Sequence, residues 1–217
     1  MKLPLSWSSL TQRVYAANAL QINPWTMLWE PITETLPVDQ ETVTAQQALI
    51  HISGKARRVP IAIIGPREAT TEEYETAEEL GAALAKMGLQ LLCGGKNGVM
   101  EASAKGHLEA GGQPIGLLPE TDWRGANPYI SIPIATGIGK SRNAVIAQAC
   151  PVLIAVGGGY GTMSEMAYGL HFDHLVLSLC NAPVLPGVFA CSSVDDAITR
   201  TAEYLLEVPE ALASTLA

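Results

Sequence analysis

The sequence predicts an α/β chain built on a doubly wound parallel sheet with helices on both faces, preceded by an N-terminal extension, and three observations predict it. From Val59 onward, apolar strand patterns alternate with helical ones. The apolar runs are short and unbroken, as at Val152–Val156, which marks strands buried on both faces. Four of them empty into glycine-bearing turns, after Ile64, Cys93, Ala135 and Val156. In an open parallel sheet all such turns lie at the edge where ligands bind.

The expected division is an extension over residues 1–57 and a Rossmann-like domain over residues 58–217. Three of the four tryptophans, Trp7, Trp25 and Trp29, fall in the extension, with Pro24, Pro31 and Pro37 interrupting any long periodic pattern. This reads as irregular chain with one or two short helices, residues 40–52 being of helical composition. Tryptophan at that density needs burial, so the extension should pack on the core or on a second subunit.

The first core strand is expected over 59–64, closed by Gly65-Pro66-Arg67, and a helix over 71–87, where Thr70 and Glu73 have the spacing of a capping box. A buried strand over 89–93 leads into Gly94-Gly95-Lys96-Asn97-Gly98 and a helix over 99–110, stopped by Gly111-Gly112. The third strand covers 114–118 and is followed by a polar loop through Trp123, Arg124 and Asn127. The fourth covers 130–135, and Gly137-Ile138-Gly139-Lys140 then leads into a helix carrying Arg142 and Asn143. The fifth strand, through Val156, runs into Gly157-Gly158-Gly159-Tyr160-Gly161-Thr162, where a helix restarts and continues to about 170. A sixth strand over 175–179 and a helix over 194–206 complete the pattern.

Composition narrows the partners. A net charge of -8 and a pI near 5.0 exclude a nucleic-acid or anionic-membrane surface unless basic residues are concentrated, and the one basic cluster, Lys55-Ala56-Arg57-Arg58, reads as a solvated linker. Cys93, Cys150, Cys180 and Cys191 show no C-x-x-C pairing and read as reduced core thiols of a cytoplasmic protein. No apolar run approaches the roughly 20 residues that span a bilayer, and the N-terminus lacks the apolar core of a signal peptide. His171-Phe172-Asp173-His174 offers two imidazoles and a carboxylate, but no third ligand cluster accompanies them, so no metal is expected.

At the glycine turn after Val156 the backbone can bend sharply and approach a ligand, and the helix that follows aims its unpaired N–H groups at the same spot. Such a place favours an anion, most often a phosphate. Two familiar phosphate motifs fail on named positions. Gly139-Lys140-Ser141 has the ending of a Walker A loop, but Ile134 stands where its first glycine belongs. Gly157 and Gly159 are followed by Thr162 where a dinucleotide fingerprint needs its third glycine.

The combination of Gly94-Gly95-Lys96-Asn97-Gly98-Val99-Met100-Glu101, Arg142-Asn143 and Gly157-Gly158-Gly159-Tyr160-Gly161-Thr162-Met163-Ser164-Glu165 resembles the LOG-like superfamily, once called lysine decarboxylase-like. The resemblance covers roughly residues 59–180. In the branch that hydrolyses cytokinin riboside monophosphates, it implies phosphate-binding roles for Gly158, Gly159, Gly161 and Thr162 and catalytic roles for Arg142 and Glu165. Gly157 stands where that branch has proline, and Asn143 where it has lysine. Both features are similar to a second branch, which includes molybdenum cofactor carriers and DprA/Smf-related proteins. The resemblance thus implies a homodimer binding a nucleotide or phosphate-bearing cofactor, molybdenum cofactor among the candidates. Gly65, Arg67, Gly94, Gly95, Lys96, Asn143, Gly157 and Tyr160 join the expected binding set.

The hydrolytic alternative is a nucleoside 5'-monophosphate phosphoribohydrolase, in which Glu165 would stabilise an oxocarbenium-like centre and steer water. Arg142 would hold phosphate or hydroxyl groups bidentately. A non-catalytic scaffold is the third reading. Bland alternatives stand beside these: Thr162 and Glu165 also have capping-box spacing, Arg142 could lie on the surface, and Arg67 and Lys96 could be solvated loop cations.

Overall fold

The computed structural model describes residues 3–213, and the chain separates into two compact units. One runs to Arg58 and resumes from Thr199; the other is Val59–Ile198.

The first unit contains β1 (Leu5–Ser8), β2 (Arg13–Ala16), β3 (Leu20–Asn23), β4 (Leu28–Pro31), β5 (Gln40–Val43) and α1 (Ala45–Ile52). Its strands form an antiparallel sheet in the order β4-β3-β2-β1-β5, which corrects the expectation of irregular chain with short helices. Each strand has four residues, too few to display a period of two. The connecting turns take positive φ at Gln12, Ala17, Asn18 and Met27 rather than at glycine, so the usual hairpin signal is missing. Trp7 and Trp29 are buried, the Trp29 indole donating to Leu206 O at 3.2 Å, while Trp25 is exposed beneath the Arg57 guanidinium, 4.8 Å from its ring centre.

The second unit contains β6 (Pro60–Ile64), α2 (Thr71–Lys86), β7 (Gln90–Cys93), α3 (Val99–Glu109), β8 (Ile115–Leu118), β9 (Ile132–Ala135), α4 (Arg142–Ala149), β10 (Val152–Val156), α5 (Tyr160–His171), β11 (Leu175–Leu179) and the two-residue β12 (Phe189–Ala190). The boundary between units falls inside α6 (Val194–Leu205), and α7 (Glu210–Ala213) follows. The seven strands form a parallel sheet in the order β12-β11-β10-β6-β7-β8-β9, the expected α/β architecture with β12 as an unforeseen edge.

Every residue of β10 is buried, as are all of β6 after Pro60. Side chains alternate across a strand, so Ala62 and Ile64 join Leu153, Ala155, Ile146 and Met166 in one core layer beneath α4 and α5. Ile61, Ile63 and Ile154 face the opposite side, covered by α2 and α3. Each fully buried Leu or Ile stabilises by roughly 1.5–3 kcal/mol, which makes this two-faced strand pair the rigid base for what leaves its carboxyl end. The chain lays down β6 to β9 in one direction and then returns to place β10 on the far side of β6, with Ala155 opposite Ile64. Strand order reverses between β6 and β10, and a crevice opens at such a switch point.

The Thr70–Glu73 capping box forms as expected: Glu73 N–H donates to Thr70 Oγ1 at 3.2 Å and Thr70 N–H to Glu73 Oε2 at 2.7 Å. Among the described residues, no helix is long and apolar enough to cross a membrane, and no group of three or more His, Cys, Asp or Glu could hold a metal ion.

Candidate anion-binding cleft

Beyond Val156 the chain turns through Gly157 and Gly158, at φ of 57° and 119°, and Gly159 caps α5. The two positive φ values need glycine, and at Gly157 they exclude the fixed φ of proline. A side chain at Gly157 would also run into the Glu73 carboxylate, and one at Gly158 into Thr162. By contrast, a Cβ on Gly159 or Gly161 would meet nothing within 4 Å. The first bond of α5 runs from Met163 N–H to Gly159 O at 2.9 Å, and no side chain caps the helix. The N–H groups of Tyr160, Gly161 and Thr162 therefore lack helical partners and, with the helix dipole, present a positive end to open space.

Two residues from neighbouring helices meet over this turn. Arg142 begins α4 and Glu165 lies on the second turn of α5; they are 7% and 6% exposed and form an ion pair, Nη1 to Oε1, at 3.0 Å. Burial pushes the Glu165 carboxyl up to about 7, while the Arg142 charge and hydrogen bond pull it down. The same Arg142 Nη1 donates to Asn143 Oδ1 at 2.5 Å, and Asn143 Nδ2 donates to Ser164 Oγ at 3.0 Å, tying the start of α4 to α5. Arg142 Nε is buried without a partner among the described residues. An orphaned donor on a buried cation costs stability, and the guanidinium that carries it also lines the cleft.

The Thr162–Glu165 capping box does not form, because α5 begins at Tyr160 and Glu165 reaches across to Arg142. Nor is Arg142 a surface residue. Gly94 explains how it enters: a Cβ there would collide with the Arg142 guanidinium, so the glycine makes room for the cation.

A cleft of about 660 Å3 collects most of the expected set: Gly65, Arg67, Gly94, Arg142, Asn143, Gly159, Tyr160, Gly161, Thr162 and Glu165. Gly157 and Gly158 lie outside its lining and shape the turn from behind. Gly95 and Lys96 also stand apart. The Gly95 carbonyl accepts from Asn127 N–H at 2.9 Å, and Lys96 Nζ donates to Gly125 O at 2.7 Å and pairs with Glu120 at 3.1 Å, pinning the β8–β9 loop. Sequence reasoning missed Lys140, Ser141, Ser164 and Tyr168, which line the cleft. The first two belong to the failed Walker ending, so the residue types were visible but their destination was not. Buried Cys93, close beneath the Gly94 turn, has its thiol pushed up to about 11 by desolvation and is no nucleophile.

A family model described as the SLOG cluster4 family matches residues 58–203. The chain belongs to that family. The LOG-like resemblance carried by the three motifs is thereby borne out. Among relatives of this SLOG cluster4 protein, an uncharacterized protein from Archaeoglobus fulgidus is 39% identical over 138 residues, 64% of this chain and 91% of the relative. A cytokinin riboside 5'-monophosphate phosphoribohydrolase from Rhodococcoides fascians is 30% identical over 141 residues, 58% of this chain and 68% of the relative. Among solved structures, the molybdenum cofactor binding protein of Rippkaea orientalis superposes with a TM-score of 0.65 at 32% identity, over 69% of this chain and 98% of the other. DNA processing protein A from Streptococcus pneumoniae, at 16% identity and a TM-score of 0.54, covers 91% of this chain and 74% of its own, and shares the fold.

Proposed function

We propose that this SLOG cluster4 protein binds a nucleotide or another phosphate-bearing small molecule, its phosphate resting on the N-terminus of α5 against Arg142. The observation that carries the reading is the buried guanidinium with an unpartnered Nε beside three helix N–H groups that open on the same cleft. Molybdenum cofactor as cargo is the finer form of the proposal, supported by the similarity to the Rippkaea orientalis protein. The residues fit its phosphate: Tyr160, Gly161 and Thr162 would hold that group through their amides, with Arg142 completing the set. The exposed Val145 and Tyr168 on adjoining α4 and α5 support a homodimer as part of the same reading, which light scattering of the purified protein checks.

A second reading rests on Glu165. A carboxyl group held near neutrality in a cleft can donate or accept a proton at a glycosidic bond, and the relative from Rhodococcoides fascians is named as a phosphoribohydrolase. One experiment separates the two. Titration with AMP, followed by chromatography for free adenine, should give saturable binding without base release under the carrier reading and turnover under the hydrolytic one. Glu165→Gln leaves the Arg142 cation without its countercharge, so a binder should hold AMP as tightly or more tightly, whereas a hydrolase should lose its rate. Absence of binding by any monophosphate would sink both.

A further inference from the structure

We propose that the cleft takes a ligand carrying two separate anionic groups, the first on the α5 turn and the second between Arg67 and Lys140. The inference rests on the phosphate reading above and extends it. Three cations line the cleft, Arg67, Lys140 and Arg142, against one carboxylate, Glu165, in a chain of net charge -8. Glu165 is already matched to Arg142 at 3.0 Å. A single phosphate would use the α5 amides and the Arg142 donor and leave the other two cations idle. Neither the Arg67 side chain nor the Lys140 side chain makes a hydrogen bond or ion pair with a described residue. The Arg67 charge does act on Glu120, but Lys96 holds that carboxylate at 3.1 Å.

These two cations sit on turns that are themselves fixed. The carbonyl of Pro66 accepts from Val99 N–H at 3.1 Å, and Gly98 has no side chain because Pro66 O and Arg67 O occupy that space. Gly139 N–H, next to Lys140, donates to Pro119 O at 3.0 Å, and the 3-10 turn Gly139–Ser141 already engages the Arg142 N–H. The start of α4 thus offers the cleft charged side chains, where α5 offers bare amides. Unlike cations scattered over a surface, Arg67 and Lys140 are delivered by braced backbone to one concavity, where charge of one sign is focused on whatever enters. A second anion close to both would make charge-assisted hydrogen bonds, each strong enough to alter affinity about tenfold or more.

Two anions on one molecule come from a diphosphate, or from a phosphate ester whose far end carries an oxyanionic metal centre. Calorimetric titration of the full chain with AMP and ADP tests the first source, and titration of the AMP-saturated chain with molybdate tests the second. The expected result is binding of ADP at least about tenfold tighter than AMP, or saturable molybdate binding in the presence of AMP. Arg67→Ala combined with Lys140→Ala should abolish that gain, bringing the affinities for ADP and AMP to within about threefold of each other. Equal affinity for AMP and ADP together with no molybdate binding overturns the proposal, as does a gain that survives the double substitution. Failure of the unsubstituted protein to bind AMP, ADP or pyrophosphate refutes the phosphate site itself and this inference with it.

Discussion

Two glycine-rich turns leave the same edge of the same sheet, residues 94–98 after β7 and residues 157–161 after β10, and in the sequence they look interchangeable. The first is filled by its own protein. Gly94 lies under Arg142, Gly95 is hemmed by Leu118, Gly98 by the Pro66 and Arg67 carbonyls, and Lys96 is spent on Glu120 and Gly125. The second is shaped by Gly157 and Gly158 from behind but left open at Gly159 and Gly161, whose surroundings contain no atom that a Cβ would touch. Glycine in one turn admits neighbouring protein; in the other it leaves room for a ligand. The contrast also separates roles within the expected binding set, since Lys96 braces a loop while Arg142 meets the cleft.

The largest effect should come from Gly98→Ala. Its φ of 70° disfavours a side chain, and the new methyl would press on two backbone carbonyls that cannot swing aside. A loss of about 4 kcal/mol in chemical denaturation is expected, or failure to fold, and a change below about 1 kcal/mol would contradict the account of the closed turn.

The next largest is a pH effect on the open side. The folded carboxyl of Glu165 is raised from 4.5 to about 7, so over that window the folded chain retains a proton that the unfolded chain has released. Stability from this group is therefore present at low pH, falls as pH rises through about 7, and is level above it, by up to about 3 kcal/mol. Denaturation at pH 5 and pH 8 should show that slope in the parent protein and lose it in Glu165→Gln. Binding of sulfate, whose charge is fixed across this range, should strengthen as pH falls, because protonation removes the countercharge of Arg142.

The smallest effects make the sharpest pair. Lys96→Ala should lower stability by up to about 1 kcal/mol and leave AMP affinity within about twofold, because its nitrogen is committed to Glu120 and Gly125. Gly161→Ala should do the reverse. It lies in the first turn of α5, where alanine is favoured, and nothing crowds it, so stability should not fall, while a methyl added at the cleft lining weakens AMP binding. If the two substitutions behaved alike, the distinction between a closed and an open turn would fail.

Much of the second unit was legible because parallel strands buried on both faces must be apolar throughout. The strand at Leu175–Leu179 and the helix start at Val194 fall where the pattern put them, and the Thr70–Glu73 box marked its helix by local chemistry alone. The first unit was not legible, since its four-residue strands are too short for a period and its turns use Gln, Ala, Asn and Met in place of glycine. At the cleft, residue types were readable and partners were not. Thr162 and Glu165 satisfy the capping-box spacing equally well whether or not the box forms, and the choice was made by Arg142, 23 residues earlier in the chain.

By itself, the sequence determined the α/β alternation, the edge at which its turns gather and the glycine-led helix start after β10, because all three follow from local rules of burial, backbone freedom and helix polarity. Tertiary structure alone decided which glycines are open, that Arg142 and Glu165 share one buried pair, and that Lys140 shares a cleft with Arg67 while Lys96 is pinned to Glu120 and Gly125. Those outcomes depend on strand order: β10 lies beside β6 although β7, β8 and β9 come between them in the chain, and only that crossover brings the turns and the α4 and α5 starts to one crevice.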